Sequence, residues 1–286
     1  MSERHLNGAL DAASLFALLP VTAQARIATL NVLESVDSTN SELLRRPTSA
    51  HGIDVLFAER QTGGRGRLGR AWASPPGSNL YLSLARCFGG GMGGGIEGKL
   101  AQLGGLSLVV GIAAAEALRA LGADAVRVKW PNDIVVDDAG VLCKLGGVLI
   151  EGGLQDRVPR AVIGIGLNVR MPMRAADAID QPWTDLHALL GETLPSRNAI
   201  AAAVLEALAE AIDRFDGEGL APFLSRFDAL DALRDADIIA RVGSVVHAGV
   251  AAGLADNGAL RLRTGAGEIL LHAGEVSVRK SAAAQA

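Results

Sequence analysis

"QTGGRGRLGRAWASPPGSNLYLSLA", residues 61–85, is the stretch whose reading decides the fold. Gly64, Gly66 and Gly69 fit the pattern Gly-x-Gly-x-x-Gly, with Arg65, Arg67 and Arg70 set between and beside them. A dinucleotide-binding unit needs a strand before that pattern, a helix after it and an acidic residue about 20 positions on. "IDVLFAER" (53–60) supplies the strand. No helix follows: Pro75-Pro76-Gly77 marks a turn and residues 79–85 read as another strand. The segment is therefore a strand, an Arg/Gly loop and a second strand, with Trp72 at the loop exit, and the doubly wound reading falls. Glycines let backbone N–H groups approach an anion closely, and arginines add planar forks for carboxylate or phosphate. A small anionic ligand fits this chemistry; for the loop taken alone, a solvated hairpin fits too.

Outward from the loop, "GGGMGGGIEG" (89–98) reads as a flexible connection. Gly93, Gly98 and Lys99 nearly complete a phosphate-binding P-loop, but Leu100 stands where a metal-binding hydroxyl is required. Residues 99–122 read as a long, Ala-rich buried helix. Short apolar runs at 126–130, 133–137, 142–151 and 161–169, joined by turn residues, predict antiparallel hairpins rather than crossovers. Ser196 and Asn198 open a helix over 196–215, and a further helix covers 220–230. From about Asp235, five short strands separated by Gly-containing turns suggest a small barrel docked on the main domain. The expected fold class is α+β: an N-terminal extension over 1–32, a main domain over 33–233, a small β domain over 234–280 and a tail over 281–286.

Composition narrows the function classes. The 286 residues carry 27 Lys+Arg against 31 Asp+Glu, a net charge of −4, which opposes a general nucleic-acid surface. Cys87 and Cys143 belong to no metal-ligand cluster, as expected in a reducing compartment. "AASLFALLPVTAQA" (12–25) lacks the basic flank of a signal peptide, and the uncharged run Leu100–Ala115 falls short of about 20 apolar residues. A cytoplasmic protein with no membrane partner is expected.

Three more segments carry chemistry. Thr39-Asn40-Ser41-Glu42 makes a capping box, which leaves Ser38 in front of a helix start where polar ligand groups can be held. "KWPND" (129–133) sets Lys129 and Asp133 around one turn, with Asp133 available to orient a nucleophile or help hold a magnesium ion beside phosphates. Gly146-Gly147 interrupts the apolar strand "KLGGVLIE" (144–151), a device that admits another backbone or a ligand. Lys144, two residues before Gly146, is expected on the same face as that glycine. Gly164 and Gly166 repeat the device two residues apart, hence on one face. Together they suggest a floor for a flat ligand.

The ordered set "DSTN" (37–40), Gln61 with "GRGRLGRAW", "SNLYLSL" (78–84), "VKWPND" (128–133), "KLGGVLIE", "IGIGLN" (163–168) and "LAPFLSRF" (220–227) resembles the biotin protein ligases. The resemblance implies a catalytic domain like that of class II aminoacyl-tRNA synthetases and a small SH3-like C-terminal domain. It implies biotin and ATP as substrates, magnesium as cofactor, and the biotin carboxyl carrier protein of acetyl-CoA carboxylase as protein partner. By the same resemblance, Arg67, Lys144 and Asp133 would be catalytic. Ser38, Thr39, Asn40, Gln61, Gly64, Arg65, Arg70, Trp72, Lys129, Asn132, Gly147, Gly164, Gly166, Asn168 and Trp183 would bind biotin or the nucleotide. Trp183 would pack on adenine; a partly exposed turn residue is the alternative.

Some members of that family carry an N-terminal DNA-binding unit of about 60 residues; about 30 residues precede "VLESVDSTN" here, so no DNA binding is expected, and the chain would be a monomer or weak homodimer. Two rival readings exist. A lipoate protein ligase shares the fold but needs a greasy tunnel, and the Arg/Gly loop favours biotin. A nucleic-acid module would use the arginines in salt-sensitive binding, which the acidic balance opposes.

Overall fold

A computed structural model describes residues 8–89, 103–176, 179–273 and 276–280. The near-P-loop at 93–99, most of the glycine run and the tail over 281–286 lie outside the described residues.

The main sheet has seven strands: β1 (Ile27–Leu33), β2 (Ile53–Ala58), β3 (Leu80–Cys87), β4 (Val126–Lys129), β5 (Asp133–Asp138), β6 (Val141–Gln155) and β7 (Val158–Leu167). Their order is β1-β2-β3-β7-β6-β5-β4. The run from β4 to β7 is antiparallel throughout, as the short connections predict. β1, which the sequence reading did not identify as a strand, pairs with β2 in parallel. The crossover between them carries a helix whose N-terminus reaches the site.

Eight helices lie among the described residues: α1 (Ala12–Leu18), α2 (Val21–Gln24), α3 (Thr39–Arg45), α4 (Leu106–Ala120), α5 (Met173–Ala176), α6 (Leu186–Leu190), α7 (Arg197–Glu218) and α8 (Leu224–Leu230). α4 is apolar on most sides, and it packs against α7 and under the sheet in one continuous core. With the preceding turn it is long and apolar enough to cross a bilayer, yet most of it is buried inside the protein. α1 is anchored to the main core: Leu15 is buried on it, and Leu10 and Leu19 at its ends join the same core. Cys87 and Cys143 are unpaired.

A second, five-stranded antiparallel sheet follows: β8 (Asp237–Val242), β9 (Val245–Leu254), β10 (Leu260–Thr264), β11 (Gly267–Leu271) and β12 (Val276–Lys280), in the order β11-β10-β9-β8-β12. It is tied to the main sheet at named points. Trp130, buried just after β4, donates its indole N–H to the Gly258 carbonyl at 3.0 Å, and Asp231 bridges beside Val128.

Candidate active site

Strand register lays out the floor of the site. Lys129 pairs with Asp133, Asp133 with Gly147, Gly147 with Gly166, and Gly166 with Tyr81, so one row crosses five strands on one face. Cross-strand neighbours on a face approach to about 5 Å, which brings the charged end of the row against the bare glycines. A second row sets Ser83 opposite Gly164 and Gly164 opposite Leu149.

Lys144 joins this face through an irregularity. The β5–β6 register jumps between Ile134–Gly146 and Val135–Lys144, so Leu145 is an extra residue, a bulge that reverses the alternation. Lys144 therefore shares a face with Gly147, not with Gly146 as the spacing suggested. Its ammonium reaches Asp133 at 2.6 Å, while Lys129 approaches the same carboxylate at 3.6 Å. A Cβ on Gly146 would instead meet the Leu167 side chain and the Gly166 carbonyl on the other side.

One cavity of about 490 Å³ opens over these rows. Seventeen of the eighteen residues assigned by resemblance line it: the three catalytic ones and, of the binding set, every residue except Gly64. Gly64 closes the loop instead. Its carbonyl accepts from Trp72 N–H at 2.9 Å, and a side chain there would strike the Trp72 carbonyl and Ser74. Six lining positions carried no site signal in the sequence: Met171, Ile179, Asp180, Gln181, Val278 and Arg279. They come from a loop and from the second sheet, where only folding brings them near.

The Arg/Gly loop is a folded hairpin. Gly66 N–H donates to the Arg70 carbonyl, Arg65 bridges with Ala71, and the tip turns through Leu68 and Gly69 at φ of 57° and 71°. Arg65 tethers it to α3 by donating to Ser41 Oγ, and it pairs with Glu151 at 3.3 Å. Arg67 donates to Asn132 Oδ1 at 3.1 Å and to the Ala273 carbonyl beside the second sheet at 2.6 Å. Arg70 lines the cavity from the exposed side. Trp72 lies on the bare face of Gly166, where a Cβ would come within 2.6 Å of its indole nitrogen. The Lys144 ammonium sits 5.4 Å from the Trp72 ring centroid, a cation–π distance.

Burial and charge act together here. Burial lowers the Arg67 pKa below its ordinary value; Asp133 opposes that shift and Arg70 adds to it. Burial likewise pushes Lys129 down, against the pull of Asp133. Burial works against the Asp133 carboxylate, yet Lys144 and Lys129 more than offset it and hold its pKa below the ordinary carboxylate value. The net result is a cationic end with one carboxylate already neutralised.

That neutralisation bears on magnesium. Asp133 is committed to two lysines, and no group of three His, Cys, Asp or Glu side chains occurs among the described residues. Among the described residues, the donor set at this end does not form a metal site of the protein's own.

The opposite end is neutral and polar. Ser38 caps α3. Gln61 Oε1 accepts from Thr39 N–H at 2.9 Å, and Gln61 Nε2 donates to Ser74 Oγ. Asn40 covers Gly164 so closely that a Cβ there would lie 2.4 Å from Asn40 Oδ1, and its amide nitrogen donates to the Leu149 carbonyl and to Glu151. Gly164 and Gly166 thus admit Asn40 and Trp72, rather than leaving two bare surfaces. Beside Lys144, residues 182–184 run as a backbone partner, with Lys144 N–H donating to Pro182 and Thr184 N–H to Lys144. This sets Trp183 on the cavity wall. Among the described residues, two buried polar atoms of lining side chains have no partner: Trp72 Nε1 and Asn168 Oδ1. Such orphans suit a bound polar ligand.

Comparison with known proteins agrees with this geometry. The biotin/lipoate A/B protein ligase family matches residues 32–168, and the biotin protein ligase C terminal domain matches residues 238–279. The bifunctional ligase/repressor BirA of Salmonella typhimurium is 41% identical over 251 residues, 87% of this chain and 74% of that protein. The biotin--[acetyl-CoA-carboxylase] ligase of Paracoccus denitrificans is 32% identical over 252 residues, 86% of this chain and 98% of its own. Among solved structures, the biotin protein ligase from Aquifex aeolicus in complex with biotin and ATP superposes with a TM-score of 0.71 at 28% identity, covering 89% of this chain and 100% of that one. A mixed sheet followed by a small antiparallel sheet is the fold this chain has in common with that structure. The chain belongs to the biotin/lipoate A/B protein ligase family, with the C-terminal domain of the biotin protein ligases.

Proposed function

We propose that this chain is an ATP-dependent biotin--protein ligase that works in two steps. In the first, the biotin carboxylate attacks the α-phosphorus of ATP, releasing pyrophosphate and leaving biotinyl-5'-AMP. In the second, the ε-amine of a lysine on the biotin carboxyl carrier protein of acetyl-CoA carboxylase attacks the acyl carbon, and AMP leaves. The supporting observation is the polarity of a single cavity, with Lys144, Lys129 and Arg67 at one end and Thr39, Gln61 and Ser38 at the other. A carboxylate and a phosphate repel, so fixed cations at the meeting point stabilise the charge that develops; losing one such donor costs about 10²- to 10³-fold. Asp133 holds the Lys144 ammonium in place. The hairpin loop and Trp72 stand between the floor and solvent, which suits an anhydride that water would hydrolyse.

The cofactor-like partner is ATP, consumed as a substrate, and the polar end suits a ureido ring better than the apolar dithiolane of lipoate. In this reading the protein acts in the cytoplasm, without DNA or membrane. The test is exchange of labelled pyrophosphate into ATP with biotin, lipoate or no acid. Exchange with biotin alone is expected. Exchange driven by lipoate and not by biotin overturns the reading.

A further inference from the structure

Behind the polar end lies a residue the cavity does not expose. Ser83 on β3 is fully buried, opposite Gly164, with its Oγ 2.6 Å from Asn40 Oδ1 and 2.7 Å from Thr39 Oγ1. Thr39 Oγ1 lies 3.2 Å from Gln61 Oε1. This row has three oxygen-to-oxygen contacts and only two hydroxyl protons to fill them.

The protons can be placed. The Asn40 amide nitrogen faces two acceptors, the Leu149 carbonyl and the Glu151 carboxylate, so its oxygen must face Ser83. An amide oxygen accepts only, so the Ser83 proton goes to Asn40. Ser83 Oγ then has lone pairs alone for Thr39, and the Thr39 proton must close the 2.7 Å contact. The remaining contact, the longest, is to Gln61 Oε1, which already takes the Thr39 N–H. Thr39 Oγ1 is left presenting lone pairs to the cavity.

We propose that Ser83 is a positioning residue that, through Asn40, fixes the Thr39 hydroxyl as a hydrogen-bond acceptor and so selects a ligand ring bearing an N–H at that point. This rests on the biotin reading above, since the ureido ring offers two such donors and a dithiolane none. The bare face of Gly164 is part of the device, because a side chain there would displace Asn40 from Ser83.

The test compares biotin with its two cyclic-carbamate analogues, in each of which one ring N–H is replaced by oxygen, binding to the wild type, Ser83→Ala and Ser83→Cys by calorimetry. The wild type is expected to bind one carbamate about 30-fold or more weakly than biotin, since two acceptors would face each other. Ser83→Ala frees the Thr39 proton to turn toward the ligand, and that ratio should fall below about 5-fold. Ser83→Cys, close to isosteric, should give an intermediate ratio and reads the same quantity if the alanine variant does not fold. A purely structural role would weaken biotin and carbamate alike, and an unchanged ratio in the folded variants overturns the proposal. So does wild-type binding of both carbamates as tightly as biotin. Absence of any biotin binding by the wild type would overturn the functional reading itself, together with this one.

Discussion

Asp133 carries one negative charge between two ammonium groups, and its value to the site depends on both. Replacing it with Asn keeps the shape but leaves Lys129 and Lys144 facing each other in a buried setting. Pyrophosphate exchange should fall by about 10²- to 10³-fold in Asp133→Asn. The sign of a second effect follows from the causes acting on Lys129. Burial and Lys144 lower its pKa and Asp133 raises it, so removing Asp133 lowers it further. The alkaline limb of the exchange pH profile should move to lower pH; an unmoved limb would show that Lys129 need not be charged. The sequence made the participants legible, because "KWPND" and "KLGG" set Lys129, Asp133 and Lys144 beside turns and glycines. It did not reveal that Asp133 is already spent on two lysines, since that depends on a side chain reversed by a bulge.

At the scale of elements, Gly146 on β6 and Gly166 on β7 have opposite jobs. Gly146 faces backbone: an added Cβ would lie 2.8 Å from the Gly166 carbonyl and 2.6 Å from Leu167 Cδ2. Strand backbone cannot move aside cheaply, and overpacking of this kind costs about 1–3 kcal/mol. Gly166→Ala presses on the Trp72 indole, which belongs to the loop. We expect Gly146→Ala to lower the melting temperature by several degrees. Gly166→Ala should instead leave it within about two degrees and raise the biotin KM by 10-fold or more, because the loop is displaced and the sheet is not. Reversal of that pattern, read by thermal melts and exchange kinetics, would place Trp72 outside the binding surface. Periodicity flagged both glycines as close-approach points but put Lys144 on the face of Gly146, because a period-2 argument fails across the inserted Leu145. β1 escaped notice for a related reason: most of its residues are half-exposed or exposed, and its parallel pairing depends on a crossover through α3.

Across the whole molecule, the two sheets are joined at a point that stores an electrostatic cost. Asp231, between α8 and the second sheet, bridges beside Val128 at the edge of the main sheet, and its Oδ1 accepts from Leu233 N–H. Its Oδ2 is buried without a hydrogen-bond partner among the described residues. Burial pushes the carboxyl up from 3.8 to about 6; Leu233 N–H opposes, Asp228 adds, Arg234 opposes and Asp235 adds. A carboxyl whose folded pKa is raised binds more protons in the folded state between those two values, so stability falls as pH climbs from about 4 to about 6. Two pKa units are worth about 3 kcal/mol, and that cost persists at neutral pH. Asn keeps the bond to Leu233 and cannot ionise. Asp231→Asn should therefore match the wild type near pH 4 and gain an advantage through pH 6, reaching several degrees in melting temperature at pH 7.5. A variant less stable than the wild type at pH 7.5 would mean that the carboxylate holds the two sheets together rather than straining the junction. The sequence offered no sign of this, since Asp231 falls between the expected helix over 220–230 and the small β domain, and only folding, which sets it beside Val128, buries its carboxylate.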